Sequence, residues 1–523
     1  MSRGQDFKIT YSTLGSSAAA VHDGFEQAVA AALAALGGSH SLWIGGRERQ
    51  GAGEFEVRSP VDRRLLVGRF QAAGRDEVAA AIAAAGDAFE DWRRVPWPER
   101  LAILRRGADR ISARRFELAA LMSLEVGKTR FEALADAEEA ADLIRYYCQQ
   151  LEEAAGFERP MGRLADNERT RDVLRPYGVW AVISPFNFPV ALAAGMAAGA
   201  LVGGNTVVVK PASAAPASAL ELYRLLVEGG LPDGVLNLVT GAGGPVGEEV
   251  VTNPGVAGIV FTGSRAVGFE LHRRFNAARP RPCHLELGGK NAALVTARAD
   301  LDKAVEGVAR SAFGFGGQKC SACSRVYVDR SLAEPFRARL VARMGELAVG
   351  DPRDREVFLG PVIDEAAVAR YERAIAEARR DGRLLAGGER LTDGDRAHGC
   401  YVTPALVDGL PDGHELVTEE LFLPILCLRE VDSLAAALEL ANASDYGLTA
   451  GIFSEEPAEV ETFFDRIEAG VAYANRASGA TTGAWPGVNP FCGWKASGST
   501  GKGGCGPYYV QQFLREQSRT VME

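Results

Sequence analysis

The sequence predicts an α/β protein: a doubly wound parallel-sheet domain, a second α/β domain and a small β extension. Three observations predict it. From Tyr177 onward, short apolar strands alternate with helical stretches, the pattern that gives a parallel sheet. A second alternating set follows Asn291. Two polar segments, 157–176 and 496–523, belong to neither set. The length of 523 residues is roughly three domains' worth, and 47% hydrophobic with 24% charged residues suits a large buried core.

Taken in order, the start Met1–Lys8 has no apolar core behind its charge, so no secretory leader is expected. Residues 17–37 are alanine-rich and read as a helix. Leu42–Gly46 reads as a strand ending in a turn. Helical periodicity runs from Asp76 to Ala155 with a glycine break at Gly127. Glu158–Arg175 is polar, alternates weakly and reads as a protruding hairpin. The first strand set is Gly178–Ser184, Thr206–Lys210, Val235–Thr240, Gly258–Phe261 and Cys283–Leu287. Helices 189–202, 216–229, 244–253 and 265–276 separate its members. The second set is strand Ala292–Val295, helix 301–316, strand Ser324–Val328, helices 331–347 and 364–380, and strand Arg383–Ala386. The tail is glycine-rich from Ser497 and ends strand-like at Gln517–Val521. The expected division is 1–156 with 177–288, then 289–495, with 157–176 and 496–523 as the extension. These elements use up the chain, so no fused second enzyme is expected.

Residues 179–209 carry no charge and are long enough to span a bilayer. Pro185, Asn187, Pro189, Gly203, Gly204 and Asn205 interrupt them, which favours a buried strand–loop–helix–strand unit over a membrane helix. A net charge of −10 and a pI near 5.4 argue against nucleic acid or an anionic membrane as partner. The basic stretches Arg93–Arg115 and Arg273–Arg281 read as solvated faces. Eight cysteines without framework spacing suit a reducing, cytoplasmic compartment. Cys320 and Cys323 are too isolated for a zinc site and the six histidines show no ligand spacing, so no metal is expected.

The chemistry centres on Cys320, in the run Phe315-Gly-Gly-Gln-Lys-Cys-Ser-Ala-Cys-Ser-Arg325. Glu286 lies 34 residues before it, in Glu286-Leu-Gly-Gly-Lys290. A cysteine among small, flexible residues can act as a thiolate nucleophile, and a carboxylate beside two glycines can serve it as general base. Four further segments follow the strands of the first set, where open parallel sheets bind ligands. They are Ser184-Pro-Phe-Asn-Phe-Pro189, Lys210-Pro-Ala-Ser213, Gly241-Ala-Gly-Gly-Pro-Val-Gly247 and Phe261-Thr-Gly-Ser264. The last opens a helix, whose N–H groups suit a pyrophosphate.

These motifs resemble the aldehyde dehydrogenase superfamily, and the resemblance extends from about Leu42 to the C-terminus. It implies Cys320 as nucleophile, Glu286 as base, and Asn187, 133 residues before Cys320, as oxyanion donor together with the Cys320 N–H. It implies a nicotinamide cofactor along Ser184, Pro185, Phe186, Gly243, Gly247 and Leu287. Lys210 would take the adenosine ribose, and Gly263, Ser264 and Gly268 the pyrophosphate. Glu420 would hold the nicotinamide ribose and Phe422 back the ring, although Leu423 stands where the family usually has glycine. Ser213 replaces the glutamate of many NAD-preferring members, so NAD is expected with NADP possible. The product would be a carboxylate, released from a cysteine thioester by water. The resemblance also makes 157–176 and the tail an oligomerisation surface, hence a homo-oligomer. A coenzyme-A-acylating enzyme and a non-catalytic binding protein on the same scaffold are the other readings. Glu286 argues against the first, and the presence of all three catalytic residues against the second.

Within the superfamily the likeness is greatest to the group that oxidises L-glutamate γ-semialdehyde. Gly317-Gln-Lys-Cys-Ser321 matches that group, where Ser321 would meet the substrate carboxylate. Thr482-Gly483-Ala484, followed by Pro490-Phe491, resembles its carboxylate-anchoring loop. Glu139, on an acidic helix, is the candidate for the substrate ammonium or else a surface carboxylate. The loop before Thr482 is longer than usual, Cys492 replaces a glycine and Trp485-Pro486 is bulky. Another semialdehyde or an aliphatic aldehyde therefore stays open. Cys323 is either a redox partner of Cys320 or a buried neighbour.

Overall fold

The computed structural model of the chain describes residues 19–523; residues 1–18, with the charged start and the first positions of the alanine-rich stretch, lie outside them. Two seven-stranded sheets organise the rest. The first runs Cys283–Glu286, Val256–Thr262, Val179–Ile183, Thr206–Lys210, Leu236–Leu238, Leu42–Ile44, Arg47–Arg49. Its first five strands are parallel, and the two N-terminal ones close the edge antiparallel. Every residue of Thr206–Lys210 is buried, as expected of a central parallel strand covered on both faces.

The uncharged 179–209 stretch is strand Val179–Ile183, helix Ala191–Val202 and strand Thr206–Lys210. Only Leu192 of that helix is less than buried, so it needs no polar face. No helix among the described residues is long and apolar enough to cross a membrane. The periodic region 76–155 forms four helices, Arg75–Trp92, Trp97–Ala113, Arg115–Val126 and Arg130–Glu153. Its glycine break falls at Gly127, a left-handed helix end with φ 76°.

The second sheet runs Arg383–Ala386, Ala405–Asp408, Ile425–Val431, Cys323–Asp329, Asn291–Val295, Thr449–Phe453, Val471–Ala474. The strands beyond Ala386 were not anticipated from sequence. Helix Leu301–Phe313 is shorter than expected, because Phe315 and Gly316 turn left-handed just beyond it. The hairpin strands Glu158–Pro160 and Glu168–Pro176 combine with the tail strand Leu514–Met522 into one antiparallel sheet, in register from Leu514 opposite Pro176 to Met522 opposite Glu168. A further small sheet pairs Ser39–His40 and Gly53–Arg58 with Leu66–Ala72.

Candidate active site

Cys320 is delivered by the end of one capped helix. The Asp300 carboxylate accepts from the N–H groups of Asp302 and Lys303 at 3.1 Å each, starting helix Leu301–Phe313. After it the backbone runs through left-handed residues. Gly317 has φ +67°, and a Cβ there would lie 2.4 Å from the Leu423 carbonyl oxygen, so only glycine fits. Gln318 is then clamped: its amide donates to Phe315 O at 3.1 Å and accepts from the Ile363 N–H at 2.8 Å. On the other side, the Asn291 amide donates to the carbonyls of Cys320 (2.7 Å) and Ala322 (2.9 Å). The thiol is thus held by bonds to its own backbone neighbours on both sides.

Glu286 ends strand Cys283–Glu286. The following glycines let two loops meet: a Cβ at Gly288 would sit 2.0 Å from the Glu420 carboxylate, and the Gly289 N–H donates to Glu420 Oε1 at 3.1 Å. One cavity, about 1240 Å³ counting space open to solvent, is lined by Cys320, Glu286, Leu287, Ser321, Glu139, Gly483, Ala484 and Phe491. Sequence reading had named all eight from segments far apart in the chain. Asn187 is not on that lining; it is buried behind it, with Nδ2 donating to Gln318 O at 2.9 Å and a second N–H to spare.

Burial dominates the electrostatics. It pushes the Glu286 carboxyl well above the ordinary range, with only the Gly493 N–H opposing, and Glu286 Oε2 has no hydrogen-bond partner among the described residues. Burial, then the nearby Glu420 and Glu286, push the Cys320 thiol up as well. Glu420 is pushed up to about 7 by burial, against the Gly289 N–H and Lys290. Glu139 is buried in the cavity wall, so it is not a surface carboxylate.

The loop carrying Gly483 and Ala484 is fastened to the Cys320 segment. Thr481 Oγ1 donates to Ser321 O at 2.6 Å, and the Arg476 guanidinium donates to the Gly483 carbonyl. Bulky Trp485 is accommodated by an Nε1–H bond to Asp142 Oδ2 at 2.9 Å, on the helix that bears Glu139. The structure adds wall residues that sequence reading missed. Lys319 pairs with Glu132 at 2.7 Å, Tyr147 OH accepts from the Cys505 N–H at 3.2 Å, and Arg310, Phe188 and Tyr509 also line the cavity. Lys319 and Glu132 both lay in segments already singled out, but nothing local marks them as partners. Cys323 is buried in the hydrophobic cluster of the second sheet, its thiol directed at Arg325 O at 3.3 Å, which fits the buried-neighbour reading.

The strand-end loops are laced together. The Ser184 N–H donates to Lys210 O at 3.1 Å and the Ser213 hydroxyl to Gly241 O at 2.8 Å. The Gly263 N–H donates to Glu286 O at 3.1 Å. Ser264 stands just before helix Arg265–Phe275, where Leu287 packs closely over Gly268. The Phe186 and Phe422 rings meet edge-to-face at 5.8 Å, beside Pro185. Gly243 and Gly247, on helix Gly243–Thr252, face open space. Among the described residues, buried Lys210, held down to about 8 by burial, has no ion pair and the buried Ser184 hydroxyl has no partner. Unmatched donors and an open helix N-terminus beside a ring pair fit an anionic dinucleotide. Among the described residues no group of three or more His, Cys, Asp or Glu is placed to hold a metal ion.

Comparison with known proteins agrees with this geometry. The 1-pyrroline-5-carboxylate dehydrogenase 1 of Halalkalibacterium halodurans is 37% identical over 504 residues, covering 95% of this chain and 96% of the relative. The 1-pyrroline-5-carboxylate dehydrogenase 2 of Bacillus subtilis is 36% identical over 506 residues, covering 96% of each. A solved structure of a Thermus 1-pyrroline-5-carboxylate dehydrogenase with bound NAD superposes with a TM-score of 0.93 at 32% identity, over 100% of both chains. Proline utilization A from Bdellovibrio bacteriovorus matches with a TM-score of 0.92 at 36% identity, over 97% of this chain and 52% of that one. The aldehyde dehydrogenase family matches residues 47–518, so nearly the whole fold around the Cys320 cavity is accounted for, and the chain belongs to that family.

Proposed function

We propose that this chain oxidises L-glutamate γ-semialdehyde, the open form of Δ1-pyrroline-5-carboxylate, to L-glutamate with NAD, a step of proline catabolism. The observation that carries the reading is the convergence of Cys320, Glu286 and the 482–484 loop on one cavity. Full-length relatives that bear the matching name support it.

The residues act as follows. The Cys320 sulfur attacks the aldehyde carbon, and the carbonyl oxygen, becoming an oxyanion, takes hydrogen bonds from the free Asn187 N–H and the Cys320 N–H. Lys210, Ser264 with Gly263 and Gly268, Glu420 and Phe422 hold NAD, Gly243 and Gly247 leave it room, and Phe186 backs Phe422. Bound NAD supplies the hydride acceptor that makes the carbon attached to Cys320 a thioester. Glu286 then takes a proton from water as the water attacks that carbon, which releases the carboxylate and the Cys320 thiolate. Ser321 and the N–H groups of Gly483 and Ala484 hold the substrate α-carboxylate, Phe491 packs on its chain, and Glu139 faces its ammonium group. Ser213 neither repels nor attracts a 2′-phosphate, so NADP is tolerated.

Residues 19–156 with 177–288 form the cofactor part and 289–495 the catalytic part. The three-stranded sheet with exposed Met161, Leu164, Val521 and Met522 forms the contact of a cytoplasmic homo-oligomer. Light scattering on the full chain reads that mass, and a monomer refutes the contact.

The test of function is NAD reduction with Δ1-pyrroline-5-carboxylate beside succinate semialdehyde, propanal, hexanal and benzaldehyde. A preference for pyrroline-5-carboxylate of about tenfold or more in kcat/KM is expected. Activity confined to the other aldehydes overturns the substrate, and locates the difference in the 477–493 loop with Trp485 and Cys492.

A further inference from the structure

Arg310 lies on the cavity lining, near the C-terminal end of helix Leu301–Phe313. That helix is docked on the loop that leads to Gly483: the Ala480 N–H donates to Gly307 O at 2.9 Å, and the Ser311 and Thr481 hydroxyls meet at 2.7 Å. Arg310 sits between these two anchor points in sequence, so its place relative to the loop is fixed by the same bonds. Its Nε donates to Glu306, while its terminal nitrogens make no hydrogen bond among the described residues. Glu306 also takes Arg343 at 2.7 Å. One carboxylate therefore serves two guanidinium groups; Arg343 has a second partner in Glu346 at 3.2 Å, whereas Arg310 has Glu306 alone among the described residues. The other cation of the wall, Lys319, is paired with Glu132 at 2.7 Å. Arg310 is thus the wall cation with unused donors, and its side chain is over one-third exposed, as a group that meets incoming solute should be.

The rest of the molecule makes that charge useful. The chain carries −10 overall, and Glu132, Glu139 and Glu286 lie in the same cavity. A substrate carboxylate brought into such a cavity is disfavoured unless a local cation offsets the field within a Debye length, about 8 Å at physiological ionic strength. A guanidinium with free terminal N–H groups matches a carboxylate in planar, two-bond geometry.

We propose that Arg310 is a specificity-determining residue that draws the substrate's carboxylate toward the 480–484 loop, so that the pocket selects carboxylate-bearing aldehydes over neutral ones. The proposal rests on the function given above and adds a residue to it. The experiment compares the wild type with R310Q and R310K, measuring kcat and KM on Δ1-pyrroline-5-carboxylate, succinate semialdehyde and propanal at low and high salt. For R310Q, the ratio of pyrroline-5-carboxylate to propanal efficiency should fall about three- to fivefold, the scale of a part-exposed ion pair. The loss should lie in KM, and the efficiency on succinate semialdehyde, which carries a carboxylate and no ammonium, should lose most of its salt dependence. R310K should restore a large part of the ratio. A wild type that prefers pyrroline-5-carboxylate, with R310Q changing it and propanal equally or changing neither, overturns the role of Arg310 and leaves the function standing. A wild type with no preference for any carboxylated aldehyde overturns both.

Discussion

Replacing Glu286 by glutamine keeps the side chain's shape and removes its ionisable proton. In the structure this carboxyl lines the cavity, accepts one hydrogen bond from the Gly493 N–H, and leaves Oε2 without a partner. The role proposed for it, as base, comes after acylation, when water attacks the thioester. Loss of a positioned general base costs about 10²–10⁴ in that step, or roughly 3–5 kcal/mol of barrier. The first turnover does not need the base for water. Stopped-flow mixing of E286Q with NAD and aldehyde should therefore show a burst approaching one reduced cofactor per subunit, followed by a steady rate slower by about 10²-fold or more. The same burial gives a second, independent readout. The folded pKa is raised well above the ordinary 4.5, so the native chain holds this proton more tightly than the unfolded one. That contribution to stability is fully present below the unfolded pKa and is lost as pH rises through the folded value, at up to about 1.4 kcal/mol per pH unit. Glutamine has no such slope, so the Tm of E286Q minus that of wild type should grow between about pH 5 and about pH 8. Steady turnover of E286Q within twofold of wild type would refute the base; a Tm difference that shrinks with pH would refute the burial argument.

Cys320→Ala should abolish turnover while fluorescence titration shows reduced cofactor still binding; any residual thioester chemistry would need another nucleophile. Lys128 and Asp136 form a fully buried pair at 2.5 Å, with Lys128 also 3.8 Å above the Phe188 ring and Asp136 accepting from the Ala191 N–H at 2.7 Å. Lys128→Met strands that carboxylate and should cost about 3–5 kcal/mol in urea unfolding, with Asp136→Asn in the same chain recovering much of it; equal loss in single and double variants would contradict the pairing. Ser213→Glu puts a negative charge beside the strand-end loops and should lower efficiency with NADP by about tenfold while NAD changes little; parallel losses with both cofactors would move the 2′-phosphate elsewhere.

Much of this site was legible locally. The Cys320 and Glu286 segments announce themselves because each puts a reactive side chain within a few residues of permissive glycines, although the two lie 34 residues apart. The breaks at Pro185, Asn187 and Pro189 and at Gly203, Gly204 and Asn205 divided an uncharged run into strand, helix and strand, which is how it folds. What stayed hidden depends on partners. Strand Ile425–Val431 opens as a plain apolar run, Ile-Leu-Cys-Leu, whose periodicity does not separate strand from helix. The tail strand was legible only as Gln517–Val521; its full span, Leu514–Met522, and its register depend on Glu168–Pro176, over three hundred residues earlier.

The sequence by itself determined the alternation of the first sheet, the opening of the second, the helical region before them, and the candidates proposed as nucleophile, base and cofactor loops. Those follow from periodicity, turn chemistry and residue type, which act over a few residues. Only the tertiary structure decided that Glu139 is buried in the wall, that Lys319 is neutralised by Glu132, and that Arg310 keeps donors free beside the substrate loop. Burial and ion pairing depend on which distant segments share a face, and a chain of amino acids specifies that only through its fold.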